Sequence, residues 1–441
     1  MKPLKIALFT YSTKPRGGVV HTLNLGEHLA KLGHLVHVYA LGPNYGSSVT
    51  SKPALSKAEG SRDLPDEVIQ KIQKTGSPPD SALSKVEGLL VDRRPAFFRP
   101  VDVPHTLIHC RVVDYKNIDE KIADYIRIYY EFLRSIDETY DIYHAEDCIS
   151  ANALLELRDN GFIKSFVRTV HHLDDFTSKS LIDCQLNSIL EPDHVMVVSK
   201  YWDKKLRSEY SLDPLIIHNG VDVERFTKVN GAKFFKELAK TKFSVNGYRV
   251  ILSIGGIEPR KNTLTTLRAF NIAKSHFMKK DERLVWLIGG GETLFDYRPY
   301  RGEFFSQVER LGLKMDQDIR VLGNIPDANM ADLYGAGDVF VFPSLKEGWG
   351  LVVLEAMASG VPVIASDIEP LTEYLKDGEN AVLIPPTDHE VLAREIIDVL
   401  ENKDFREKLA TNGLKTANSY TWRNTALMHS EFYERILEKV G

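Results

Sequence analysis

Two glutamates stand eight residues apart in "VFPSLKEGWGLVVLEAMASGVPVIAS", residues 341–366. Glu347 lies in a glycine-flanked loop, whereas Glu355 lies among Val352, Val353, Leu354 and Met357. A carboxylate in such an apolar run needs a partner, because an unpaired buried charge is costly. The run "DVFVFP" reads as a strand ending at Pro343, "SLKEGWG" as a loop, and the following residues as a helix from about Leu351 to Ser359 stopped by Gly360. The loop then sits at the carboxyl end of a parallel strand, where open α/β sheets bind ligands. Gly348 and Gly350 let backbone N–H groups approach a ligand. The unpaired N–H groups of Leu351 and Val352 favour a phosphate at the helix start. Glu355, one turn on and on the same face as Leu351, reaches hydroxyls beside that phosphate, so a vicinal diol is one partner for it. A core helix in which Glu355 caps neighbouring backbone is the other.

Three further places carry chemistry. Lys261 in "SIGGIEPRKN" follows a strand and precedes a helix. His171 and His172 end the strand of "FVRTVHHLDDF", where a crevice would lie. Gly17 and Gly18 follow the first strand without forming G-x-G-x-x-G, so no dinucleotide fingerprint is present; they suit either close approach to a phosphate or sugar or an ordinary strand–helix turn. No convincing D-x-D metal motif and no Walker lysine–Ser/Thr pair is found, and no metal ligand set is expected.

These residues need a scaffold, and the chain supplies one rhythmically. "KIALFT", "LVHVYAL", "DIYHAE", "FVRTVH" and "HVMVVS" read as strands alternating with amphipathic helices. The pattern halts near "LIIHNGVD" and restarts at "RVILSIGG", "RLVWLIGGG", "IRVLGNI", "DVFVFPS" and "VPVIAS". That is the βαβ pattern of parallel sheets. It predicts an α/β protein of two doubly wound, Rossmann-like domains: residues 1–214, then 215–421, then a helix over 422–441 that packs back toward the first domain. Between about residues 44 and 104 the rhythm fails for about sixty residues, longer than an ordinary loop. This stretch holds the near-repeat "ALSKAEG" and "ALSKVEG", and its composition predicts a mostly disordered insert. "DEVIQKIQK" within it could form a short helix.

The 441 residues are 43% hydrophobic and 27% charged, with a net charge of −5. This is the balance of a globular protein and argues against a nucleic-acid binder. Three cysteines without metal-ligand spacing fit a reducing compartment. The N-terminal apolar run is too short for a secretion signal and no stretch is long enough to span a bilayer, so a cytoplasmic protein is expected. One basic face in "KYWDKKLRSEY" is a solvated helix, with peripheral membrane contact the alternative.

The stretch from Pro343 onward resembles the E-x7-E signature of the retaining family-4 glycosyltransferases (glycosyl transferases group 1), with Trp349 in the aromatic slot. "IIHNGVDVERF", "SIGGIEPRKN", "VLGNIPDANMADLYGAGDVFVFPS" and "YSTKPRGGVVHTLNLGEHLAKLGHLVHV" are similar to other family segments in order and spacing. The resemblance covers nearly the whole chain except the insert. It implies a GT-B fold, its two domains facing each other across a cleft. It also implies retaining, metal-independent hexosyl transfer from a nucleotide-sugar to a small-molecule, glycan or lipid-linked acceptor. No cofactor is implied beyond the donor. By the same resemblance Glu347 contacts the donor sugar, Glu355 the ribose, and Lys261 the diphosphate. Gly348, Trp349 and Gly350 line the sugar, the amides of Leu351 and Val352 meet the distal phosphate, and Asn324 and Ile325 meet the base. Gly17 and Gly18 border the donor, and His171 is the active-site histidine. Gly256 stands where many members carry an arginine, which leaves open whether Arg260 takes its place. A nucleotide-sugar epimerase and a catalytically silent sugar- or nucleotide-binding protein are the competing readings.

Overall fold

The computed structural model describes residues 2–43, 50–51, 97–110, 115, 117–176, 178–227, 233–291 and 297–438. The two repeats and the "DEVIQKIQK" segment lie outside these residues, as does most of the expected insert.

Two sheets form the molecule. The first contains β1 (Lys5–Thr10), β2 (Leu35–Pro43), β3 (Thr50–Ser51), β4 (His105–Cys110), β5 (Ile142–Ala145), β6 (Val167–Val170), β7 (His194–Val197) and β8 (Leu215–Ile216). Their order is β3-β4-β2-β1-β5-β6-β7-β8, and every pairing is parallel except that of β3 with β4. The second contains β9 (Tyr248–Ile254), β10 (Arg283–Gly289), β11 (Ile319–Gly323), β12 (Val339–Phe342), β13 (Val363–Ser366) and β14 (Val382–Ile384), ordered β11-β10-β9-β12-β13-β14 and wholly parallel. Helices cover both faces of such sheets, so central strands are apolar throughout rather than alternating. β6, β12 and β13 are buried at every residue.

The helix Trp422–Glu438 returns to the first sheet's layer and packs on the helix Gly17–Lys31. Its Tyr433 hydroxyl meets His144 Nδ1 at 2.6 Å, and its Ser430 hydroxyl meets His34 Nε2 at 2.8 Å. Two stretches connect the sheets, and they run side by side where Val221 N–H donates to Tyr420 O at 2.8 Å and Val221 bridges Thr421.

The end of the expected insert differs from expectation. Phe97 and Val103 are buried in the core of the first domain, and Arg99 donates to both oxygens of Glu27. Residues 97–104 therefore belong to the folded body: an aromatic anchor and a forked ion pair hold a stretch whose overall composition reads as loop.

Candidate active site

The loops after β9 and β12 are knitted together before any functional side chain is considered. Asn262 ends the first loop in a left-handed turn (φ 55°), and its Nδ2 donates to Pro343 O at 3.1 Å. Leu345 N–H donates to Arg260 O at 2.9 Å. These bonds bring Arg260 and Lys261 to Glu347. Arg260 donates to Glu347 Oε1 at 2.9 Å, Lys261 to the same oxygen at 2.8 Å, and Ser344 Oγ also donates to it. Burial alone would raise the Glu347 carboxyl. The charges of Arg260 and Lys261, with the hydrogen bonds from Lys261 and Ser344, more than reverse this and hold it at about 2. Lys261 is itself lowered by burial, against the pull of Glu347, and lies over the Phe342 ring at 4.4 Å. Arg260 and Lys261 thus place two cations beside the start of the helix Leu351–Ala358, with Glu258 a second carboxylate in their field. The two cations and the helix terminus are the groups that suit an anionic ligand.

Glu355 is inside that helix and paired: the Tyr334 hydroxyl donates to its Oε2 at 2.7 Å. The capping alternative finds no support, since no backbone group bonds its carboxylate among the described residues. Burial raises its carboxyl, which the Tyr334 hydrogen bond and the Arg225 charge partly offset. Arg225 also pairs with Asp327 Oδ1 at 2.9 Å and binds Asp327 O, so it joins the Glu355 environment to the loop beyond Asn324 and Ile325. Asn324 is exposed and Ile325 half-buried at the mouth of β11.

The other wall belongs to the first domain. His171 follows β6, and Glu146 follows β5. His171 Nε2 lies 2.9 Å from Glu146 Oε2. Glu146 Oε1 faces His21 Nε2 and His144 Nε2, both at 3.6 Å. His21 Nδ1 is held by Asn219 Oδ1 at 2.8 Å. Burial lowers all three rings, His21 to about 3, and raises Glu146 to about 6, an increase that His21 and Arg168 moderate. At neutral pH the cluster is therefore one carboxylate among neutral imidazoles. His21, Glu146 and His171 present ligand atoms within 4.8 Å of one another, donor types that suit a divalent transition metal. The 2.9 Å contact is equally the hydrogen bond a neutral ring makes to a carboxylate.

The walls meet at His171 and Gly348. A β-carbon on Gly348 would stand 2.4 Å from His171 O, so only glycine fits that approach. Lys346 bonds Asp175 at 2.8 Å alongside. Gly18 borders the His171 ring, 3.5 Å from its Cδ2 when a β-carbon is added, whereas Gly17 is exposed with open space around it. Gly350 N-caps the helix, and the amides of Leu351 and Val352 follow. Trp349 departs from its expected place. The residue is 2% exposed, and its indole stacks on His218 with centroids 4.5 Å apart, so the ring faces His218. The aromatic slot serves packing between the domains.

Comparison with known proteins bears on what this arrangement is. The description Glycosyl transferases group 1 matches residues 234–416, and Glycosyltransferase Family 4 matches residues 88–225. The chain belongs to the family-4, group 1 glycosyltransferases. It is 33% identical over 187 residues to the O-antigen chain mannosyltransferase B of Escherichia coli, covering 42% of this chain and 45% of that protein. It is 28% identical over 266 residues to the phosphatidyl-myo-inositol mannosyltransferase of Mycobacterium leprae, covering 59% of this chain and 65% of that one. The matches thus span about half to two thirds of these relatives' length. Among solved structures, the sucrose-phosphate synthase of Thermosynechococcus elongatus superposes with a TM-score of 0.72 at 19% identity, over 98% of this chain and 99% of that one. The fold is GT-B. For a family-4 glycosyltransferase, the glycine at 256 has a structural reason here. Its φ is +75°, and a β-carbon would come within 2.8 Å of Gly291 O, so no side chain fits this backbone. Arg260 brings a guanidinium to the cluster from four residues further on.

Sequence reasoning did not single out Glu146, His21, His144, Tyr334 or Arg225. One signal was available: in "DIYHAE" His144 and Glu146 are two apart at a strand's carboxyl end, and alternate residues of a strand share a face.

Proposed function

We propose that this family-4 glycosyltransferase moves a hexosyl group from a nucleotide-sugar to an acceptor hydroxyl with retention of configuration and without a metal at the diphosphate. The observation that carries the reading is the convergence of Arg260 and Lys261 on Glu347 beside the helix start at Leu351. Bond cleavage at the anomeric carbon builds negative charge on the departing diphosphate, and cations already fixed there stabilise it without reorganisation. Glu347 is held at about 2 by those cations. A carboxylate so stabilised is a weak base and a weak nucleophile, which supports a charge-ordering and sugar-binding role and favours front-face transfer, with the leaving phosphate taking the acceptor's proton. Glu355, beside Tyr334 and Arg225, is the ribose ligand in this reading. Asn324 and Ile325 face the base, and Gly17, Gly18 and His171 form the acceptor-side border of the donor sugar.

Both relatives named above are mannosyltransferases by name, and one acts by name on phosphatidyl-myo-inositol. Mannose is therefore the first sugar to test, and lipid-linked, glycan and small-molecule acceptors are the classes to pair with it. Among the described residues no helix is long and apolar enough to cross a membrane. The test incubates the full chain with UDP-, GDP- and ADP-sugars and these acceptor classes, with and without a chelator, and reads nucleoside diphosphate release and product configuration by NMR. Acceptor-dependent release with retention, unchanged by chelation, is expected. Inversion, dependence on added Mg²⁺ or Mn²⁺, or conversion of the donor sugar without an acceptor overturns the reading.

A further inference from the structure

The first-domain wall contains a carboxylate that the proposed chemistry does not use. Glu146 is sealed from solvent, yet Oε1 has no hydrogen bond and Oε2 is joined to His171. We propose that Glu146 is the positioning residue for His171, fixing the ring as the Nε2–H tautomer so that the Nδ1 lone pair faces the cleft as a hydrogen-bond acceptor.

The geometry supports each part. An ionised carboxylate only accepts hydrogen bonds, so His171 Nε2 must carry the proton in the 2.9 Å contact. Nδ1, across the ring, has no hydrogen bond among the described residues and is not among the atoms sealed from solvent. Most of the neighbouring polar groups are committed elsewhere. His144 uses Nε2 on Thr169 Oγ1 at 2.7 Å and Nδ1 on the Tyr433 hydroxyl at 2.6 Å. His21 uses Nδ1 on Asn219, and its Nε2, 3.6 Å from Glu146 Oε1, is buried without a hydrogen bond. Asp147 accepts from the amides of Ser150 and Tyr11, which ties it to the start of the helix Cys148–Asp159. Arg168 bonds the Thr169 carbonyl. The titratable groups around Glu146 are therefore His21 from the helix Gly17–Lys31, His144 from β5, Arg168 and His171 from β6 and its end, and Tyr433 from the helix Trp422–Glu438, with His429 packed behind His21 and His144. Burial keeps the imidazoles neutral, with His429 at about 4, while Glu146 titrates near 6. Asp147, also near 6, titrates at the helix start, next to this pair. A hydrogen bond that fixes a tautomer through the far ring nitrogen is a recognised way to orient a histidine.

The test uses the full chain with ¹⁵N-labelled histidine and two-bond ¹H–¹⁵N correlation spectra, with His171→Asn serving only to assign the signal. At pH 7.5 His171 is expected as the Nε2–H tautomer. In Glu146→Leu, which can neither accept nor donate, Nε2 loses its acceptor and the His171 signal is expected to shift toward a mixture of the two neutral tautomers. Turnover should then fall roughly 10- to 100-fold, while the Kd of UDP or GDP stays within twofold, and Glu146→His should not restore it. If Glu146→Leu fails to fold, the wild-type tautomer at pH 7.5 decides. An Nδ1–H ring in the wild type or a signal indifferent to Glu146→Leu overturns the proposal. So does stoichiometric zinc in the purified chain whose removal changes the His171 signal, because His21, Glu146 and His171 would then be metal ligands. The turnover arm rests on the proposed glycosyl transfer and the spectra do not. A tautomer shift in a chain that transfers no sugar would leave the pairing standing and remove the function.

Discussion

Lys261 Nζ and Glu347 Oε1 are 2.8 Å apart, and the two residues come from loops at the ends of different strands of the second sheet. Arg260 reaches the same oxygen. The proposed diphosphate clamp is therefore partly neutralised by its own glutamate before any ligand arrives. A bound diphosphate would share its cations with Glu347.

That competition gives Glu347→Gln an unusual signature. The neutral amide frees positive charge, so the Kd of a free nucleoside diphosphate should hold or tighten. Turnover should fall by about 10²-fold or more, in line with the loss of one preorganised electrostatic group. Calorimetry with UDP and GDP beside steady-state rates checks this, and a tenfold weaker Kd contradicts the arrangement.

The same carboxylate should leave a trace in acid. Its folded value is depressed from the ordinary 4.5 to about 2. A depressed carboxyl contributes stability above its unfolded value and loses that contribution as the pH falls through the folded one. The stability gap between wild type and Glu347→Gln should therefore be full above about pH 5 and close as pH approaches 2, measured by denaturant midpoints across pH.

Lys261→Ala should weaken both diphosphate affinity and turnover, with about 2–4 kcal/mol lost in the transition state. Arg260→Ala should cost less, because Arg260 is the more exposed of the two, with 42% of its side chain accessible against 12% for Lys261. Rates and Kd for both variants decide; equal losses would mean the two cations share the work, and a larger loss for Arg260→Ala would make the arginine the principal one.

Gly348→Ala should act through geometry alone. The added methyl must displace the His171 carbonyl or the loop by several tenths of an ångström or more, since 2.4 Å is well inside contact distance. Misplacing a reacting group by such amounts costs about 10²-fold in rate. The measurement is kcat alongside the melting temperature, and a near-normal kcat would show that the two walls need not meet there.

Much of this was legible from residue types. The strands were visible as β-branched runs because parallel strands are buried on both faces, and the helix at Leu351 was marked by Gly350 before it and Gly360 after it. Lys261 and Glu347 were legible as separate loop residues; their ion pair was not, because it depends on Asn262 tying two loops together across many residues of sequence. Trp349 was misplaced because an aromatic between glycines reads the same whether its ring faces a ligand or, as here, His218. Glu146 was hidden for a different reason. Its neighbours His21 and His171 arrive from a helix and another strand, and their convergence depends on the sheet order β1-β5-β6.

The side-by-side crossing at Val221 and Tyr420 is one of the places where the two domains are joined, and it offers a pivot between them. Trp349 lies at that pivot, wedged against His218, Tyr374 and Tyr420. Its indole is covalently one residue from Gly348 and two from Glu347. Any rotation of one domain about the pivot must slide or tilt the indole on the His218 ring, and the loop carrying Glu347 is short enough to feel it. Opening of the jaws and disturbance of the charged cluster would then be a single motion, with the tryptophan as the gear between them.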